Sequence, residues 1–169
     1  MSTDPTALAV LVPRHAERRS EVTSDLEKAG FRVKLRSSEL TTREDFRSVF
    51  VIDSTGELRD WTALADVVII GKSFLSTGGQ NPCEAILAGI PVIFGPHMEN
   101  FQPLARRLVA SGGAISADDS PALSRAIRTA LDPHASKTMT HQACALLALH
   151  EGATHRILDL LGAEHPPIF

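Results

Sequence analysis

At 169 residues, 43% of them hydrophobic and 22% charged, the chain has enough apolar material for one domain with a real core and too much to be intrinsically disordered. Seventeen Lys and Arg against 20 Asp and Glu leave a net charge of −3 with no long basic run, and the few aromatic residues are not interleaved with cations, so nucleic acid is excluded as a general partner. No apolar run approaches the ~20 residues of a membrane-crossing helix, and two distant cysteines, Cys83 and Cys144, read as reduced thiols of a cytosolic chain and not as a zinc pair.

In chain order, residues 1–6 are a polar lead into a continuous apolar strand over residues 7–12. Arg14 and His15 follow at its carboxyl end, where open α/β sheets place their ligands. Val22, Leu26 and Ala29 recur at helical spacing and Gly30 supplies the stop. Residues 31–35 alternate as a second strand, residues 37–44 form a polar surface loop, and residues 47–52 are a third strand. A short helix over about residues 58–64 leads into the apolar run 66–70, which reads as a buried parallel strand.

The stretch from Ser73 to His97 then organises the chain. Gly78 and Gly79 permit a tight turn and close backbone approach to a ligand. Asn81 is placed to cap a helix, Pro82 suits its first turn, Glu84 lies in that turn, and Gly89 closes it before a buried strand over residues 91–94. Further on, Phe101, Leu104, Ala105, Leu108 and Val109 share one helix face, and residues 112–116 form a short strand. Ser120 caps a helix that begins with Pro121 and buries Leu123, Ala126, Ile127, Ala130 and Leu131. One long helix spans about residues 136–161, before an irregular tail over residues 162–169. The alternation implies an α/β fold with a doubly wound, mostly parallel sheet, in a single domain over residues 1–169.

A glycine turn before a helix aims N–H groups and a helix dipole at one point, which suits a phosphate, and a first-turn carboxylate can accept hydrogen bonds from sugar hydroxyls. An ordinary βαβ crossover, its glycines merely shaping the turn, fits the spacing equally. Gly71-Lys-Ser73 lacks the earlier glycine of a P-loop, and no GxGxxG follows the first strand. His150 and His155 are five apart and do not share a helix face, so no metal site is expected. His97 lies in a loop at a strand's end, as a site-lining or surface residue. Cys83 reads as a packed small residue, because no base is paired with it in the sequence. Glu57 is either a ligand contact or a first-turn carboxylate facing a helix dipole. Arg106 and Arg107 read as a solvated helix face.

Four motifs occur in order: Leu11-Val-Pro-Arg-His-Ala-Glu-Arg18, Asp53-Ser-Thr-Gly-Glu-Leu58, Gly78-Gly-Gln-Asn-Pro-Cys-Glu84 and Gly95-Pro-His-Met-Glu-Asn-Phe101. Together they resemble the carboxyl-terminal half of 3-deoxy-D-manno-octulosonic acid (Kdo) transferases, over about residues 8–161. The resemblance implies the Rossmann-like carboxyl-terminal half of a GT-B glycosyltransferase, which binds the donor CMP-Kdo for transfer to lipid A precursor in lipopolysaccharide biosynthesis. By that pattern Arg14 and His15 lie near the donor's phosphate or carboxylate, and Gly56, Glu57 and Leu58 line the cytidine pocket through backbone groups. Ser73, Gly78 and Gly79 approach the phosphate and Kdo, Asn81 hydrogen-bonds there, and Glu84 holds the ribose. No cofactor or metal ion is implied.

Gln80 stands where many members have His, and Lys72 where many have Gly. Gln80 has no titratable group, so no acid–base role is assigned to it, and Lys72 adds a cation that either assists a phosphate or is solvated. The resemblance also implies an amino-terminal half carrying the acceptor site and the catalytic carboxylate, which is not among these residues. No catalytic residue is therefore expected here, and the isolated chain is expected to be inactive without that half. In the full enzyme the expected place is the cytoplasmic face of the inner membrane, with at most peripheral membrane contact. The alternatives are a stand-alone, non-catalytic nucleotide-sugar-binding module and the donor half of a GT-B enzyme that uses a UDP-sugar.

Overall fold

The computed structural model describes residues 7–13, 16–38 and 48–164. The polar lead, Arg14, His15, most of the loop expected at residues 37–44 and the last five residues of the tail lie outside these. The chain divides into two compact units, Met1–Trp61 and Thr62–Phe169. Among the described residues six strands pair in two three-stranded parallel sheets, ordered β1-β3-β2 and β4-β5-β6.

In the first unit the strands are β1 (Ala9–Leu11), β2 (Arg32–Leu35) and β3 (Ser48–Val51). β3 is the central strand, with Val10 facing Phe50 on one side and Val33 facing Val49 on the other. All four of its residues are buried, as the apolar run predicts for a strand paired on both edges. Helix α1 (Arg19–Lys28) crosses from β1 to β2 behind a 3-10 turn at Ala16–Arg18, and Val22 and Leu26 are half-buried while Ala29 is exposed. Gly30, at φ 85°, stops it as expected. Helix α2 (Leu58–Ala63) follows β3, and the Trp61 ring packs against Phe50 with centroids 5.3 Å apart.

The second unit carries β4 (Val68–Ile70), β5 (Val92–Phe94) and β6 (Ala114–Ser116). Its helices are α3 (Lys72–Leu75), α4 (Cys83–Leu87), α5 (Gln102–Ala110), α6 (Ser120–Leu131), α7 (Pro133–Ala148) and α8 (Ala153–Glu164). Side chains of the central strand β5 alternate across the sheet. Val92 and Phe94 join Ile86, Met98, Ala105, Leu108 and Ala143 on one side, and Ile93 joins Ala126, Ala130 and Met139 on the other. Helices therefore cover both faces, the doubly wound arrangement.

Several local expectations change. The run 66–70 forms an edge strand, and Ile69 is 38% exposed, so β5 and not β4 is the buried centre. A single helical turn, α3, stands between β4 and the glycine pair. Asp119, not Ser120, caps α6, its carboxylate accepting from the Ala122 N–H at 2.6 Å, and Leu131, expected in the buried stripe of that helix, is 44% exposed at its last turn. The long carboxyl-terminal helix is broken in two at Gly152, whose φ of 71° lies in the left-handed region, and α8 then extends to Glu164, into the segment expected to be irregular.

Because Ile93 is fully buried in a cluster built largely of alanines, Ile93→Ala leaves a void that small neighbours cannot fill. The expected loss is about 2–5 kcal/mol, read as a lower urea midpoint with an unchanged m-value.

Candidate functional site

In the first unit, the motif that begins at Asp53 forms the turn between β3 and α2. Residues outside the motif shape it. The Arg19 guanidinium donates to the carbonyls of Asp53 and Ser54, the latter at 2.6 Å, and Ser37 donates to the Asp53 carboxylate from both its N–H and its hydroxyl. The Ser37 hydroxyl is the chief reason that the Asp53 carboxyl is held below its usual range. Glu57 folds back onto the turn and accepts from the Ser54 hydroxyl, from Trp61 Nε1 at 3.1 Å and from Arg36 Nε at 3.2 Å. Ser54 first, then Trp61, lowers the Glu57 pKa. The Glu57 carboxylate is thus committed to internal partners, whereas Gly56 and Leu58 are exposed. Gly56 has φ 88°, which lets the backbone turn there without strain.

In the second unit the site is built at the carboxyl ends of β4 and β5. Ser73, in α3, is fully buried, and its hydroxyl donates to the Ile70 carbonyl at 2.5 Å and accepts from the Gly95 N–H at 2.6 Å. The Ser73 carbonyl in turn accepts from the His97 N–H at 3.0 Å. This hydroxyl joins two strand ends and faces no solvent.

Gly78 and Gly79 are buried at φ 96° and 61°. A β-carbon on Gly79 would lie 2.5 Å from Met98 Sδ and 3.0 Å from the His97 carbonyl oxygen, so only glycine lets this turn dock on the loop after β5. The Gly78 N–H donates to Glu99 Oε2 at 2.6 Å, and Glu99 Oε1 lies 3.2 Å from His97 Nδ1. The Gly78 hydrogen bond is the main cause of a lowered Glu99 pKa. A β-carbon on Gly78 would lie 2.8 Å from Asn100 Nδ2 and 3.7 Å from Lys72 Nζ, which places an amide and an ammonium beside the turn.

Past the turn, Asn81 does not cap the helix as expected: α4 starts at Cys83, Pro82 takes the N-cap position, and Asn81 Oδ1 accepts from the Cys83 N–H at 3.0 Å as a local turn contact just ahead of the helix. Gly89, at φ 74°, ends that helix, with the Ile90 N–H bonded back to the Ala85 carbonyl at 3.0 Å. Glu84 is exposed, and no hydrogen bond or ion pair holds its carboxylate among the described residues. Burial raises the Cys83 thiol pKa, which leaves it a poor nucleophile. Among the described residues no three His, Cys, Asp or Glu side chains converge as metal ligands.

Of the residues singled out in the sequence, Gly78, Gly79, Asn81 and Glu84 are grouped along one stretch of the second unit, with Ser73 beneath them. Gly56, Glu57 and Leu58 form the turn of the first unit. Arg14 and His15 lie outside the described residues. The sequence reading missed Arg19, Ser37 and Arg36, which shape the Asp53 turn, and Glu99 and Asn100, which meet the glycine pair. The last two stood in a quoted motif, but their partner lies about twenty positions away.

Parallel strands, helices on both faces of the β5 sheet and a glycine turn at the strand ends define a Rossmann-like α/β fold of the kind that forms the carboxyl-terminal half of GT-B glycosyltransferases. No family model matches the chain. The 3-deoxy-D-manno-octulosonic acid transferase of Bordetella pertussis is 40% identical over 158 residues, 93% of this chain and 37% of that protein. The enzyme of the same name from Haemophilus influenzae is 35% identical over 159 residues, again 93% and 37%. The crystal structure of the C-terminal CMP-Kdo binding domain of WaaA from Acinetobacter baumannii superposes with a TM-score of 0.76 at 27% identity, covering 85% of this chain and 75% of that one. The chain is a homologue of the Kdo transferases, matching their carboxyl-terminal part, and it spans a little over a third of the length of these two relatives.

Removing the Ser73 hydroxyl leaves the Gly95 N–H buried without its partner. Ser73→Ala is expected to cost about 1–3 kcal/mol in urea unfolding. The Glu57 carboxyl has a lower pKa folded than unfolded. Its stabilisation is therefore present in full above the unfolded value of about 4.3 and is lost as the pH falls through the lowered folded value. The gap in urea midpoint between wild type and Glu57→Gln is expected to be open at neutral pH and to close as the pH falls below the unfolded value of about 4.3 and on through the lowered folded value.

Proposed function

We propose that this chain is the donor-binding domain of a Kdo transferase, taking CMP-Kdo for transfer to a lipid A precursor. The observation that carries the reading is the likeness to a solved domain whose stated ligand is CMP-Kdo, on a chain whose relatives are named for the transfer. Residues 1–169 then serve as a single donor-binding domain.

The glycine turn at Gly78 and Gly79 takes the donor's phosphate side, and Asn81 uses the amide nitrogen that its contact with the Cys83 N–H leaves over. Glu84, exposed and with its carboxylate unpartnered among the described residues, accepts hydrogen bonds from the ribose hydroxyls. Gly56 and Leu58 meet cytidine through the backbone, while the Glu57 side chain holds their turn in shape. Ser73 acts as a positioning residue beneath the phosphate side. Arg14 and His15 are assigned to the phosphate or carboxylate from the family pattern.

In the transfer, an acceptor oxygen bonds to the anomeric carbon as the bond from that carbon to the CMP phosphate breaks. Negative charge gathers on the departing phosphate, and N–H donors aimed there stabilise it. The base that takes the acceptor's proton is assigned to the amino-terminal half that the family implies. In that setting the enzyme works at the cytoplasmic face of the inner membrane. Among the described residues no helix is long and apolar enough to cross it.

Calorimetric titration tests this. CMP is expected to bind and UMP to bind at least about tenfold more weakly, and Glu84→Ala is expected to lose at least about tenfold in CMP affinity, the worth of a single hydrogen bond to a charged group. Tighter binding of UMP favours a UDP-sugar donor, and indifference to Glu84→Ala overturns the ribose assignment.

A further inference from the structure

Four groups converge on Gly78: its own N–H, the carboxylate of Glu99, the side-chain amide of Asn100 and the ammonium of Lys72. The N–H is the kind of donor that a glycine turn offers to a ligand's oxyanion, yet here a carboxylate of the same chain accepts from it at 2.6 Å. We propose that Glu99 is the resident anion of this turn, occupying in the free chain the position that an oxyanion of the ligand takes, and that ligand binding displaces it. This rests on the donor-site reading and deepens it, because it names the group that the donor must move and the cation that receives the donor.

Three observations support displacement over a permanent tie. Glu99 is 47% exposed at its side chain and meets the turn through one oxygen alone, so a rotation about its own bonds takes that oxygen off Gly78. Its second oxygen already lies 3.2 Å from His97 Nδ1, so it keeps a partner after it leaves Gly78. Lys72 stands beside the turn without an ion-pair partner among the described residues, even though Glu99 is close by. A cation left over next to an occupied anion position suits a ligand carrying more negative charge than one carboxylate. A phosphate or phosphodiester group with its neighbouring carboxylate has that chemistry. Were Glu99 to stay, it would set a like charge against that ligand.

The test follows the Gly78 amide by ¹⁵N–¹H NMR while the full chain is titrated with CMP, UMP, cytidine and inorganic phosphate at constant ionic strength. Wild type, Glu99→Gln and Lys72→Ala are compared, and retained amide dispersion shows that each variant is folded. Glu99→Gln keeps the shape and removes the charge, so its affinity for CMP and phosphate is expected to rise about tenfold, with cytidine unaffected. Lys72→Ala is expected to lower both by about tenfold. Unchanged or weaker anion binding by Glu99→Gln overturns the proposal and leaves Glu99 as a tie within the turn. If CMP is preferred over UMP but Glu99→Gln gains nothing, the donor reading stands and the displacement falls. If phosphate binds more tightly to Glu99→Gln while CMP and UMP are not distinguished, the displaced anion stands and the CMP reading falls. Failure of every ligand to move the Gly78 amide overturns both.

Discussion

One buried hydroxyl holds the second unit's site together. Ser73 Oγ bridges the Ile70 carbonyl at the end of β4 and the Gly95 N–H at the end of β5, and the Ser73 carbonyl receives the His97 N–H. Parallel strands share no hairpin, so nothing in their ladder fixes how the two carboxyl-end loops lie against each other. The serine does that. A β-carbon at Gly95 would lie 2.5 Å from the Ser73 carbonyl oxygen, so the closeness of the two loops also requires glycine there. The glycine pair, Met98 and the Glu99 contact all follow from that clamp.

The turn after β3 is built on the opposite principle. It holds its shape by charge: Arg19 on two carbonyls, Ser37 on Asp53, and Glu57 on three donors. Charged groups do the holding because the turn is largely solvated and has little apolar surface to bury. Such contacts are individually weak in water, but several meeting on one short segment select a single backbone path. In one unit the side chains are spent on rigidity and the backbone is exposed. In the other the backbone is buried, and Asn81 and Glu84 are left at the surface.

Periodicity carried most of the fold. The apolar run at β5, the glycine stops at Gly30 and Gly89 and the helix stripes of α5 and α6 are local signals, and the structure follows them to within a few residues. The failures are also physical. The turn of helix at Lys72–Leu75 is too short for a period to register, and the break at Gly152 was invisible because apolar residues continue on both sides of it. Edge or centre is a property of pairing, which no single strand encodes, and so Ile69 was misjudged. Along the glycine stretch, the turn at Gly78 and Gly79 and the helix-start carboxylate of Glu84 were legible because backbone freedom and charge at a helix start are written in neighbouring residues, whereas the cap expected of Asn81 falls to Pro82. The fate of Ser73 and Glu57 was not, since each is decided by partners that the chain brings in through space.

The chain has one tryptophan and no tyrosine, so ultraviolet excitation selects a single ring. That ring is Trp61, half-buried against Phe50 with its indole N–H on Glu57. The molecule thus carries its own optical label at the foot of the Asp53–Leu58 turn. The colour and brightness of its emission depend on the charge of the Glu57 carboxylate and on how firmly the turn is closed. A fluorimeter, with no added dye, follows events at that turn separately from those at the glycine pair.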